Sequence, residues 1–159
     1  MHSNLQPTVP KRIEFQELAV LRLDEANILL TQNYPDGAFY LAGYAVECAL
    51  KSAICKTLNI DDFFDTYSSK AHGAKVKDDI VQKFKTHDYG TLLVLSGLYF
   101  KLETAITADI PLGDAWTIIR TLSWTEQYRY ETSVRKEQAA VQSFIDSVNI
   151  FLQWIRPHW

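Results

Sequence analysis

The chain has 159 residues, 47% of them hydrophobic and 22% charged, with a formal net charge of −3. That length suits one domain with a substantial core, and that composition excludes a disordered chain. The mildly acidic balance excludes a global attraction to nucleic acid, so any such contact has to come from a local patch.

Residues 1–10 read as a flexible N-terminal segment, polar and carrying Pro7 and Pro10, without the apolar core of a signal peptide. Residues 11–159 read as a single helical-bundle domain. No run approaches the roughly 18 apolar residues of a membrane span, so the expectation is a cytoplasmic protein with no membrane partner. The first helix is predicted from about Lys11 to Gln32, because Phe15, Ala19, Leu23, Ala26 and Leu30 recur every three or four residues. Asn33 to Gly37 is turn chemistry.

A second helix is predicted from about Asp36 to Leu58, with Asp36 as its N-cap. Ala38, Ala42, Ala45, Ala49 and Ala53 form a stripe of small residues that lets a neighbouring helix come close. Another face carries Tyr40, Tyr44, Glu47 and Lys51, and the last two stand in the favourable i, i+4 order. Cys48 and Cys55 lie two turns apart, about 10 Å, which is too far for a disulfide between them. They read as buried free thiols.

Asn59 to Ser69 is a polar connection, followed by a shorter helix from about Ala74 to Phe84. Lys70 to His87 holds five lysines and two aspartates, a locally basic stretch. The next helix opens at Thr86-His87-Asp88, carries Leu92, Leu95, Tyr99, Leu102 and Ile106, and ends at Asp109. Pro111 suits the first turn of a short helix to about Leu122. Trp124 to Glu131 is an aromatic, charged connection. A last long helix spans Ser133 to Ile155 on Val141, Ile145, Val148, Leu152 and Ile155. Four long stripes with short connections predict an all-α protein: an antiparallel up-and-down bundle of four main helices plus one or two short ones.

The segment Gly37 to Lys51, with its alanines, Glu47 and Lys51, resembles the second-helix signature of HEPN domains. Leu23 to Ala26 and Leu29-Leu30 before the Tyr-Pro-Asp-Gly turn fit the first helix of that family. Lys85-Thr-His-Asp88 with Leu92 resembles its Lys-x-His-Asp-Leu pattern, with Tyr89 in place of the leucine. Arg129-Tyr130 resembles the pair before its last long helix. The resemblance covers roughly residues 15–155. It implies a four-helix bundle, a homodimer, and a setting in prokaryotic stress, defence or toxin–antitoxin systems, beside a nucleotidyltransferase or as a nucleotide- or RNA-binding module. Many members are metal-independent ribonucleases with an arginine followed by a histidine, four to six residues between them, near the start of the last helix. No arginine of this chain meets a histidine at that spacing.

Each candidate has a functional and a structural reading. His87 is the candidate catalytic residue, because imidazole moves a proton near neutral pH. With Asp88 it is equally a helix cap. Glu47 and Lys51 line a polar pocket with Tyr40 and Tyr44, or form an ion pair between helices. Arg129-Tyr130 binds phosphate, or Arg129 pairs with Glu47 or Asp88. The lysines of 70–85 meet RNA, or form a solvated face. The histidines show no zinc spacing and no phosphate-cradling glycine loop is present, so neither metal nor cofactor is expected.

The expectation is therefore a HEPN-like nucleotide- or RNA-binding or protein-interaction module. The alternative is a divergent metal-independent endoribonuclease using His87 with Arg129 or Lys51. Tyr40, Tyr44, Trp116 and Trp124, lying outside the stripes, are expected to supply the homodimer contact. Glu47, Lys51, His87, Asp88 and Arg129 are expected to converge.

Overall fold

The apolar stripe read from the first helix lies wholly inside the protein. In the computed structural model, which describes residues 9–65, 74–132 and 136–159, α1 (Arg12–Thr31) buries Phe15, Ala19, Leu23, Ala26 and Leu30 against α2 (Pro35–Leu58). Asn33 makes the tight connection in the left-handed region (φ 64°), which asparagine tolerates well. Pro35 opens α2, where its missing N–H is no loss.

The predicted N-cap of α2 is corrected here. Asp36 sits inside the first turn, and its Oδ1 accepts the backbone N–H of Lys136 at 2.8 Å. It ties the start of α2 to the segment that leads into the last helix. The Lys136 ammonium reinforces the tie from above the rings of Phe39 (4.1 Å) and Tyr128 (4.3 Å).

All five stripe alanines of α2 are fully buried. Their small side chains let α1, α4 (Tyr89–Leu95), α7 (Gln138–Ile155) and a short 3₁₀ turn pack around α2, which makes it the central helix. By length and composition α2 is also apolar enough to cross a membrane, which the sequence reading overlooked, but 78% of that apolar window is buried inside the fold.

Cys48 and Cys55 are both free and buried. Burial, with the nearby Glu47 charge, pushes the Cys48 thiol up to about 12, and burial pushes Cys55 up to about 11. Both thiols ionise more readily in the unfolded chain, near the ordinary value of 9.0. Their contribution to stability is therefore complete below pH 9 and is lost as pH rises from there through about 11 for Cys55 and about 12 for Cys48, at about 1.4 kcal/mol per unit for each thiol. Native protein at pH 8 is expected to resist iodoacetamide at both cysteines, and to lose denaturant resistance between pH 9 and 11. Rapid alkylation of the native chain would contradict this burial.

Helix α3 (Ala74–Phe84) has the predicted bounds, and Val81 is buried. The stretch of the basic run at 70–73 lies outside the described residues. The predicted fourth long helix is instead two: α4 (Tyr89–Leu95) and α5 (Tyr99–Ala108), bent by 108°. Gly97 at φ 70° ends α4, with Leu98 N–H donating to the Leu93 carbonyl and Gly97 N–H to that of Val94. This is the Schellman pattern, which glycine enters without a Cβ clash. Thr57 holds the corner by donating its hydroxyl to the Ser96 carbonyl at 2.7 Å. The break moves the apolar phase, so Leu92, Leu93, Leu98 and Leu102 are buried while Tyr99 is 42% exposed.

Helix α6 (Ile110–Thr121) is capped by Asp109, whose Oδ1 accepts the Leu112 N–H, and has Pro111 in its first turn. A 3₁₀ turn at Glu126–Tyr130 occupies the predicted aromatic connection. Helix α7 is Gln138–Ile155, shorter than predicted, and residues 133–135 of the predicted range lie outside the described part. All five of its predicted stripe residues are buried.

Among the described residues the structure is all-helical, with no strand. Trp116 and Trp124, expected at a dimer contact, are core residues instead, at 5% and 6% exposure. Trp116 stacks on Phe151 of α7 (5.3 Å) and Trp124 on Tyr89 of α4 (5.5 Å). Trp116 lies on the buried face of α6, and Trp124 packs from the connection after it.

Candidate functional site

A carboxylate inside the central helix needs partners, because an ionised group out of water is costly unless paired. Glu47 is 1% exposed, and both of its oxygens are engaged. Lys51, one turn along α2, donates its ammonium to Oε1 at 2.5 Å. His87, just before α4, brings Nδ1 to Oε2 at 2.8 Å. The Lys51 side chain is 15% exposed and that of His87 41%, so the carboxylate is buried beneath two groups that reach solvent.

A carboxylate only accepts, so in the neutral tautomer that donates Nδ1–H to Glu47 the His87 Nε2 is left as an acceptor. In the imidazolium form Nε2 is a donor. The Nε2 atom has no hydrogen-bond partner among the described residues. The Glu47 contact thus fixes the ring through Nδ1.

Asp88 does something different from its neighbour. Its Oδ1 accepts from the Thr91 hydroxyl and backbone N–H, both at 2.7 Å, which caps α4. The Thr91 hydroxyl and then its N–H hold the Asp88 carboxyl below its ordinary range. Capping therefore falls to Asp88 alone, and His87 faces Glu47.

Tyr44 is half-buried beside this cluster, and burial, then the neighbouring Cys48 and Glu47, hold its hydroxyl protonated. Tyr40 stands apart from Glu47. Its ring lies against Trp124 (6.0 Å), and its carbonyl accepts the Trp124 indole N–H at 3.0 Å. Arg129 and Tyr130 are exposed, and the Arg129 guanidinium sits 4.9 Å from the Tyr130 ring centre. The expected pairing of Arg129 with Glu47 or Asp88 is not made. Of the five residues expected to converge, Glu47, Lys51 and His87 are in direct contact, while Asp88 Oδ1 is engaged by Thr91 and Arg129 lies against Tyr130.

Two clefts flank this cluster. The larger, about 690 Å³, is walled by Lys85, His87, Arg120, Trp124, Thr125 and Glu126 among others. The smaller, about 270 Å³, is walled by Phe15, Tyr44, Lys51, Phe64, Lys85 and His87, with Val9 and Pro10 at its edge. Lys85 and His87 line both, so they form the ridge between them. The sequence reading passed over Arg120, Phe64 and Glu126, which no motif marks. Lys85 and Trp124 carried weak signals: a cation two positions before His87, and an aromatic opening a connection.

The wall behind His87 depends on one glycine. Tyr89 donates its hydroxyl to the Gly43 carbonyl at 2.7 Å, and Trp124 lies over Gly43 so closely that a Cβ there would stand 2.1 Å from the indole Cδ1. Among the described residues no group of three His, Cys, Asp or Glu side chains is placed to hold a metal ion. No family model, no curated protein and no solved structure matches the chain.

Proposed function

We propose that the chain is a HEPN-like four-helix module that binds a nucleotide or RNA, its phosphate resting on the Lys85–His87 ridge. The observation that supports this is the His87 ring, held through Nδ1 by buried Glu47 and presenting Nε2 between two clefts that also share Lys85. A phosphate oxygen there gains charge-assisted hydrogen bonds from exposed Lys85 and from His87, whose ring is already held by Glu47. The larger cleft lies within the roughly 300–1,000 Å³ usual for small-molecule sites.

The resemblance to HEPN domains extends the proposal to a cytoplasmic homodimer in a prokaryotic stress, defence or toxin–antitoxin setting, beside a nucleotidyltransferase. Fluorescence titration of a short labelled single-stranded RNA is expected to show binding that weakens with salt. His87→Ala is expected to weaken it about tenfold, equivalent to about 1.4 kcal/mol. Equal affinity in the variant sinks the role of the ridge.

The Glu47–His87 contact favours one second reading, a divergent metal-independent endoribonuclease. A carboxylate on Nδ1 leaves Nε2 to take a proton from a ribose hydroxyl, with Lys51 as the neighbouring cation. Total RNA incubated with pure protein in chelator separates the readings. Cleavage that disappears in His87→Ala supports the enzyme, and intact RNA supports the binding module.

A further inference from the structure

The two clefts that share Lys85 and His87 differ in charge. The larger is balanced, with Lys85 and Arg120 set against Asp88 and Glu126. The smaller has Lys51, Lys85 and His87 on its wall and, among the described residues, no carboxylate. Glu47 stands behind, 1% exposed, with both oxygens already taken. An ammonium has three donors, so Lys51 keeps two beyond the one on Glu47. His87 keeps Nε2.

Apart from the Tyr44 hydroxyl the rest of that wall is apolar: Phe15 and Phe64 are core residues, and the Lys51 ammonium lies 5.7 Å from the Phe64 ring centre. Apolar walls thin out the water and strengthen each charge–charge contact. At about 270 Å³ the smaller cleft falls below the size usual for a whole ligand. It suits one compact anion continuous with a ligand in the larger cleft.

We infer that the smaller cleft is an anion subsite for a terminal phosphomonoester, so the domain selects nucleic-acid ends or nucleotides that carry one over those that end in a hydroxyl. This rests on the nucleotide reading above. A phosphomonoester carries about −1.5 to −2 charges at neutral pH, against about one for an internal diester. Two lysines and His87 on a largely apolar wall, with no carboxylate lining it among the described residues, favour the higher charge. The larger cleft, with its balanced walls, takes the sugar and base.

The test compares one short single-stranded RNA with and without a terminal phosphate, at constant ionic strength, alongside inorganic phosphate followed by NMR of the His87 and Lys51 side chains. The phosphorylated RNA is expected to bind about tenfold tighter, since the added contacts are charge-assisted. In Glu47→Gln/Lys51→Met, which removes both charges together, the ratio is expected to fall below about twofold. The wild-type comparison stands on its own if that variant does not fold. Equal wild-type affinities overturn the subsite and leave the nucleotide reading intact, and so does a phosphate preference unchanged in the double variant. Inorganic phosphate that shifts His87 and Lys51 while neither RNA binds keeps the anion subsite and overturns the nucleotide reading. If neither RNA nor phosphate binds, both fall.

Discussion

Lys51→Met is expected to destabilise the protein by about 3 kcal/mol, because it leaves the Glu47 carboxylate buried with one partner in place of two. Methionine keeps the length and apolar contacts of the lysine stem, so lost packing contributes little. For a chain of this size the loss corresponds to a fall in Tm of roughly 6–12 °C. The effect belongs to the unpaired charge more than to the missing bond. Glu47→Gln/Lys51→Met is therefore expected to recover most of it and to lie within about 1 kcal/mol of the wild type. Urea denaturation of the two single variants and the double variant measures the coupling. A single-variant loss below about 1 kcal/mol would mean that Glu47 does not depend on Lys51 for its charge.

Gly43→Ala is expected to cost about 3 kcal/mol although alanine is the better helix former. A Cβ at Gly43 would meet Trp124 Cδ1 at 2.1 Å and Nε1 at 2.3 Å, both in a rigid ring. The indole has nowhere cheap to go. It is 6% exposed, stacked on Tyr89 with an interplanar angle of 5°, and donates to the Tyr40 carbonyl. Moving it breaks that bond and opens the wall behind His87, so the same variant is expected to weaken ligand binding. In a Trp124→Ala background the clash is gone, and Gly43→Ala is expected to be neutral or mildly stabilising. A similar penalty in both backgrounds would place its cause elsewhere than the indole.

These two positions also mark how far the sequence can be read. Helical periodicity located α1, α2 and α7, because each buries a face whose residues recur every three or four positions. The α4–α5 break escaped the pattern. Leu92 and Leu102 keep the spacing on either side of Gly97, so one continuous helix and two bent ones share the same apolar letters. The turn is decided by the left-handed backbone of Gly97 and by the Thr57 hydroxyl arriving from α2. Trp116 and Trp124 were misplaced for a related reason. Trp116 shares the buried face of short α6 with Leu112, Ala115 and Ile119, while Trp124 lies in a connection, and only the packed core shows the space each fills.

By itself the sequence determined that this chain is helical, that the alanine face of α2 is buried, and that Glu47 and Lys51 share a face one turn apart. These follow from the 3.6-residue repeat, a local property of the backbone. Only the tertiary structure decided that His87, 40 positions away in the chain, completes the Glu47 pair, that Asp88 turns aside to cap α4, and that Arg129 stays outside. Those outcomes depend on which donor reaches a buried carboxylate first. Distance and angle between packed helices set that, and no spacing within the chain encodes it.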